Sequence, residues 1–297
     1  MRDHARSVFL VMVLFTNPAT AAADLVWRAP ATLNLHQHGP APEAPPPDSS
    51  VTAKRKGGNQ SSHGRHRRPE TLNLHGSAGA QLSMWRSDLQ RVELKADNDA
   101  LVVRPTGVDN YHAVVAERTQ GNLHESAIRY LYLNGKPAGR SPAELVAIDK
   151  LPLEIVPAPL VREHQRYLSD RIANYQLHYR GQPLANTPVR LETSNGTQAD
   201  LTTDGEGRIE LRLPEDFTHI EIGRRNNPPA DFVLRARHTE NGKEYRTSLS
   251  APYYVNPQHW QSNSAGLAAA LSGFAVGLGI LGLTRRREAT PTKGVTS

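Results

Sequence analysis

The 297-residue chain holds no cysteine, and that absence removes whole classes of chemistry. No disulfide can staple the fold, and no thiolate can act as nucleophile or bind a metal. Catalytic signatures are missing as well. There is no Gly-x-Ser-x-Gly elbow, no His-Glu-x-x-His and no phosphate-cradling glycine loop. Acid and base types do meet in Asp109-Asn110-Tyr111-His112 and in Arg162-Glu163-His164. No nucleophile or metal signature organises them, so the expectation is a non-enzyme. Stability must come from a hydrophobic core, and the stretch 71–255 is long enough to bury one or two.

The two ends carry membrane signals. A basic start, Met1 to Arg6, precedes the apolar run Val8 to Phe15, and Ala21-Ala22-Ala23 offers a small-residue cleavage site before Asp24. This reads as an export signal over 1–23, too short to span a bilayer. Near the other end, Ala265 to Leu283 is apolar, uncharged and followed by Arg285-Arg286-Arg287. Its length and flanks predict one transmembrane helix over 265–283, a cytoplasmic tail over 284–297 and an extracytoplasmic body. In an exported chain the lack of cysteine leans toward a bacterial periplasm, with anchorage in the inner membrane. Gly273 and Gly277 form a small-xxx-small pair suited to helix pairing.

The formal net charge of +6 suggests nucleic acid until it is apportioned. Residues 50–69 hold six basic side chains and no acidic one, whereas 70–284 hold 22 basic and 24 acidic. The folded body is therefore nearly neutral, and no nucleic-acid partner is expected.

Residues 37–70, rich in proline, histidine and basic side chains, have the composition of a disordered linker. The identical pentapeptides Thr32-Leu33-Asn34-Leu35-His36 and Thr71-Leu72-Asn73-Leu74-His75 flank it, each alternating like a half-buried strand. The first belongs to a mature N-terminal strand region, 24–36. A β-rich region over 71–150 follows, with short strands around 80–85, 91–94, 100–103, 112–116 and 128–133. Ser141-Pro142-Ala143-Glu144 predicts a capped helix running to about Ile148. From 151 to 258, runs at 172–179, 187–192, 208–213, 232–237 and 245–250, with turns at Asp204-Gly205-Glu206-Gly207 and Asn241-Gly242, predict an immunoglobulin-like or transthyretin-like β-sandwich. The fold class is thus mainly β. Whether 71–258 form one unit or two stays open.

Three segments carry a resemblance: Leu153-Glu154-Ile155-Val156-Pro157, Tyr179 to Val189, and Thr203-Asp204-Gly205-Glu206-Gly207-Arg208. Together, over roughly 125–255, they resemble the NikM-like periplasmic domain-of-unknown-function family associated with nickel and cobalt uptake. The last two also resemble the regulatory-like sandwich modules attached to carboxypeptidases and outer-membrane receptors. The NikM-like resemblance implies a membrane-anchored periplasmic protein that presents or buffers a transition metal near a transporter. Members of that family often open their mature chain on a histidine beside aromatic residues, whereas this chain opens on Asp24-Leu25-Val26-Trp27.

With no cysteine, and Met84 the only methionine left after cleavage, any bound Ni²⁺, Co²⁺, Cu²⁺ or Zn²⁺ would rest on imidazole. His36 and His38 share a strand face, His63 and His66 sit in the basic stretch, and His75, His112 and His124 can join from the folded part. The alternative is a plain interaction module, in which the sandwich binds an envelope protein or polymer and no metal is involved. In either reading the partner is a membrane transporter or another envelope component.

Overall fold

The computed structural model describes residues 24–30, 69–96, 99–161 and 165–261. The export signal, the first pentapeptide copy, most of the linker, His36, His38, His63, His66, the predicted membrane helix with Gly273 and Gly277, and the tail lie outside them. Among the described residues no helix is long and apolar enough to cross a membrane.

The described chain is mainly β, with sheets stacked in layers. The strands are β1 (Val26–Arg28), β2 (Glu70–His75), β3 (Gln81–Trp85), β4 (Arg91–Leu94), β5 (Ala100–Val103), β6 (Asn110–Gln120) and β7 (Leu123–Leu133). After helix α1 (Pro142–Ala147) come β8 (Leu153–Pro157), β9 (Tyr167–Leu168), β10 (Ile172–Tyr179), β11 (Gln182–Pro183), β12 (Pro188–Thr193), β13 (Gln198–Thr202), β14 (Arg208–Arg212), β15 (Ala230–Glu240) and β16 (Lys243–Tyr254). The central sheet has the order β13-β12-β15-β16-β7-β6-β3-β4, with β9 beside β16. Its middle joint is the parallel β7–β16 ladder, from Leu123↔Glu244 to Arg129↔Ser250. One sheet therefore runs across the 150/151 boundary.

A strand pair covered on both sides must be apolar on both sides, and β6–β7 shows it. Tyr111, Ala113, Val115 and Ile128 point into a large core roofed by β8, β10, β11 and β14. Val114, Ala116, Ala127 and Leu133 point the other way, into a smaller core roofed by β1, β2 and β5. In the smaller core Trp27 is fully buried and its indole Nε1 donates to the Ala127 carbonyl at 3.3 Å. The second pentapeptide copy forms β2 as its alternation predicts, with Leu72 and Leu74 buried.

The strands around 112–116, 128–133, 232–237 and 245–250 are longer than the apolar runs suggested, reaching 11 or 12 residues. Their polar extensions are held by pairing instead of burial of carbon. Arg118 and Glu125, both buried, form an ion pair across β6 and β7. The β15–β16 turn is a two-residue loop in which Asn241 and Gly242 both take positive φ, the geometry that matches strand twist.

Helix α1 forms as the capping sequence predicts. The Ser141 hydroxyl accepts from the Ala143 amide, and the Glu144 carboxylate accepts from the Ser141 amide at 2.9 Å. The other end is closed by Lys150, whose buried ammonium donates to the Leu145 and Ile148 carbonyls and pairs with Glu154 at 2.8 Å. That pair is sealed further by the Lys150 and Leu151 amides, which donate to Glu154.

Candidate functional site

The folded-region histidines do not converge. His112 faces Leu131 across the β6–β7 hairpin and His124 faces Thr119, seven residues further along, or roughly 23 Å at ~3.3 Å per residue. His75 is exposed on β2 in the outer sheet. His112 is fully buried and both its nitrogens are engaged: Nδ1 lies 3.0 Å from the Asn110 carbonyl and Nε2 2.8 Å from the Thr106 hydroxyl. Nδ1 must donate to the carbonyl, which leaves Nε2 to accept. Burial lowers its pKa, and the Asn110 hydrogen bond offsets only part of that. A neutral imidazole so held has no lone pair to give a metal. His124 sits 3.8 Å from the Glu117 carboxylate and 3.0 Å from the Thr119 hydroxyl. Among the described residues no three metal-ligating side chains come together.

The topology opens a cleft elsewhere. The β7–β16 ladder stops at Arg129↔Ser250, and beyond it β9 lies against β16 through Tyr253↔Tyr167 and Tyr254↔Leu168. Where β7 and β16 part, a cleft of about 430 Å³ opens, walled by Tyr130, Tyr132, Tyr167 and Tyr254, with Arg129 and Arg166 among them and Glu70 on the β2 side. No sequence signal pointed here, because periodicity locates strands and not the register at which two of them part.

The cleft floor is rigid. Arg129 is buried and pairs with Asp231 at 3.0 Å and with the Ser250 hydroxyl at 3.2 Å, while its Nε has no hydrogen-bond partner among the described residues. The other Asp231 oxygen accepts from the Ala29 amide at 2.7 Å. One carboxylate thus fixes β7, β15 and the chain leaving β1. Burial pushes the Tyr130 phenol well above its ordinary value, and the neighbouring Glu154 carboxylate adds to this. Burial also pushes Tyr167 up to about 12. These phenols remain neutral hydrogen-bonding groups at any physiological pH.

The mouth is different in character. The Arg166 guanidinium lies over the Tyr254 ring at 4.2 Å, a cation–π contact that leaves its donors available. The same two residues border a second hollow of about 710 Å³ lined by Arg224, Arg225, Pro228 and Pro229. Arg166, Arg224 and Arg225 make no ion pair among the described residues. The two hollows adjoin at Arg166 and Tyr254, the first walled mainly by aromatic rings and the second carrying Arg224 and Arg225.

No known protein-family model matches this chain, and no curated protein is similar to it in sequence. Solved structures show partial similarity. They include a Salmonella alpha-2-macroglobulin reacted with methylamine, 13% identical over 64% of this chain and 14% of that one, at a TM-score of 0.25. A two-domain fibronectin type III segment from chicken tenascin is 12% identical over 63% of this chain and 93% of that one, at 0.20. A 1.5-MDa bacterial ice-binding adhesin retained at the host cell surface is 13% identical over 63% of this chain and 58% of that one, at 0.23. This chain spans only about a seventh of the macroglobulin.

Proposed function

We propose that this is a membrane-tethered, extracytoplasmic binding module whose recognition site is the cleft between β7, β16 and β9 together with the arginine-lined hollow beside it. The reading is carried by one observation, a tyrosine-walled cleft that adjoins, at Arg166 and Tyr254, a hollow holding Arg224 and Arg225, none of the three arginines in an ion pair among the described residues. Tyrosines give large contact area at low entropic cost, and arginines fix carboxylates with directional donors. The occupant that fits is an extended, acidic polypeptide segment of an envelope partner. The tether rests on the apolar stretch 265–283, and the immunoglobulin-like or transthyretin-like identity of 151–258 belongs to the same proposal. Metal presentation, implied by the family resemblance, rests on His36, His38, His63 and His66, since the folded histidines lie apart.

Two titrations of the full-length, untagged chain separate these readings. Calorimetry with an acetylated Glu-Val repeat octapeptide should show binding that a Lys-Val repeat does not match, and Arg166→Glu or Tyr132→Ala should weaken it. Equal binding of both peptides, or indifference to both substitutions, removes the cleft from the proposal. Nickel titrated in parallel should bind no more tightly than about millimolar, roughly −4 kcal/mol. Tight nickel binding lost on deleting 37–69 would restore the metal reading.

A further inference from the structure

Among the described residues four large hydrophobic side chains are exposed, and two of them share one loop: Ile220 at 41% and Ile222 at 81%. The loop, 213–229, joins β14 to β15. Its tip is built from within. The buried Asn227 accepts from the Glu221 amide at 2.9 Å and donates to the Glu221 and Gly223 carbonyls at 2.7 and 2.8 Å. Asn226 donates to the Ile222 carbonyl at 2.9 Å, and Gly223 takes a φ of 98°, which a side chain would resist. The polar backbone of the tip is therefore met locally, and Ile222 is held outward on a fixed turn. Neither isoleucine joins a core cluster.

Both legs of this loop flank the place where the chain leaves the folded body. On the outward leg the Phe217 ring lies 5.1 Å from that of Tyr253, and Glu215 lies 3.7 Å from His259. On the return leg residues 223–229 border Tyr254, and Ala230 pairs with Tyr253. Beyond β16 the short turn Pro257–His259 is tied down by Asn256, whose amide donates to the Ser169 hydroxyl at 3.0 Å and whose side chain accepts from the Gln258 amide at 3.1 Å. Four residue steps then separate Gln261 from Ala265, where the apolar stretch begins, and they reach at most about 14 Å at ~3.5 Å each. Ile220, Ile222 and Trp260 thus lie at the end of the body nearest that stretch.

We propose that the loop tip 220–225 is a bilayer contact, in which Ile220 and Ile222 enter the lipid surface beside the anchor. The occupant is a bilayer because the apolar stretch brings one within reach, and because the tip has what such an interface favours: apolar side chains, adjacent arginines and a nearby tryptophan. Glu221, exposed between the isoleucines, and Glu215 oppose the contact. Arg224 and Arg225, outside any ion pair among the described residues, offset them at headgroup level. The inference rests on the tether proposed above and gives the body an orientation. Strands β15 and β16 run away from the lipid, with the Asn241-Gly242 turn at the far end. The arginine-lined hollow then opens at the membrane surface, so an acidic segment that reaches it belongs to the membrane-proximal part of a partner.

The cysteine-free chain allows a site-specific test. In full-length protein, Ile222→Cys, Ile220→Cys and Lys243→Cys each carry one fluorescent label, the last at the start of β16, eleven residues before Tyr254 or roughly 36 Å at ~3.3 Å per residue. Each variant is reconstituted into vesicles of phosphatidylethanolamine and phosphatidylglycerol that contain a lipid with a nitroxide on its acyl chain or, separately, on its headgroup. The expected result is several-fold stronger acyl-chain quenching at 222 than at 243, with 220 between them as its exposure directs. Adding Ile220→Ser to the 222-labelled chain should reduce that quenching. Quenching at 222 by the headgroup nitroxide alone reflects proximity imposed by the tether and overturns the proposal. So does equal quenching at 222 and 243. Flotation separates the two readings: a chain that does not float with the vesicles overturns the tether and the contact with it. A chain that floats with its 222 label unquenched overturns the contact and leaves the tether standing.

Discussion

The two faces of the central sheet are covered in different ways. The large core is roofed by β8, β10, β11 and β14, all drawn from 153–212, and is packed with rings: Phe232 lies 5.3 Å from Tyr167 and 6.2 Å from both Tyr175 and Tyr253. The small core is roofed by three short strands brought together from 26–28, 70–75 and 100–103, with Trp27 as its one large anchor. The large roof is drawn from within about sixty residues, although β9, β12 and β13 of that stretch join the central sheet. The small roof rests on pairing between three segments far apart in sequence.

Asp231 ties the central sheet to the chain leaving β1, so its removal tests whether the small face is coupled to the rest. Asp231→Ala strips the buried Arg129 of its carboxylate and frees the Ala29 amide. Leaving one member of a buried pair uncompensated costs about 3–5 kcal/mol, the largest effect expected of the substitutions considered. Urea denaturation should show that loss as a single transition. Two separated transitions would mean that the faces unfold independently.

Trp27→Ala probes the small face alone. Truncating a fully buried tryptophan costs about 3 kcal/mol or somewhat more, yet β1 is only three residues long and can detach by itself. Hydrogen exchange should therefore rise at 26–28, 70–75 and 100–103 while β10 and β14 keep their protection. A matching rise in β10 and β14 would erase the distinction between the faces.

His112 bears on the sheet between them. Burial depresses its pKa below the ordinary 6.5, so the unfolded chain takes up that proton first as pH falls. The stability it contributes is complete above about pH 6.5 and is lost as pH drops through its folded value, with a slope of at most one proton, about 1.4 kcal/mol per pH unit. His178 has the same sign, because burial lowers its pKa too, whereas burial raises the Glu154 carboxyl and gives the opposite slope above its ordinary 4.5. The difference between parent and His112→Gln isolates the one group. Thermal melts from pH 7.5 to 5 should show the variant with the shallower decline.

Much of this architecture was legible in the sequence. The period-two runs placed β3, β4, β5 and β10 within a residue or so, because each has one apolar face and a turn at either end. The capping box fixed α1 for the same local reason. The polar ends of β6 and β7 were not legible: Arg118 and Glu125 fall outside the apolar runs at 112–116 and 128–133, and only their mutual pairing buries them. The parallel β7–β16 joint was equally hidden, since it unites residues more than a hundred positions apart and leaves no local pattern. The cleft follows from that joint, so it was beyond reach too. Sequence instead drew attention to histidines, and the structure engages His112 fully inside the sheet.

The smallest effect expected lies in the connection from the central sheet to the large roof. Helix α1 carries the chain from β7 to β8 and buries only Leu145. Ser141→Ala removes one cap acceptor, typically worth about 1 kcal/mol. The Glu144 carboxyl is held below its usual range first by the Ser141 backbone amide and then by Arg140, and neither donor is lost with the hydroxyl. At the other end Lys150 still caps the Leu145 and Ile148 carbonyls. Calorimetric melting should register a shift of only a few degrees with hydrogen exchange unchanged in both roofs. A cost equal to that of Trp27→Ala would place control of the fold in this connection, and the contrast between the two roofs would no longer explain the stability of either face.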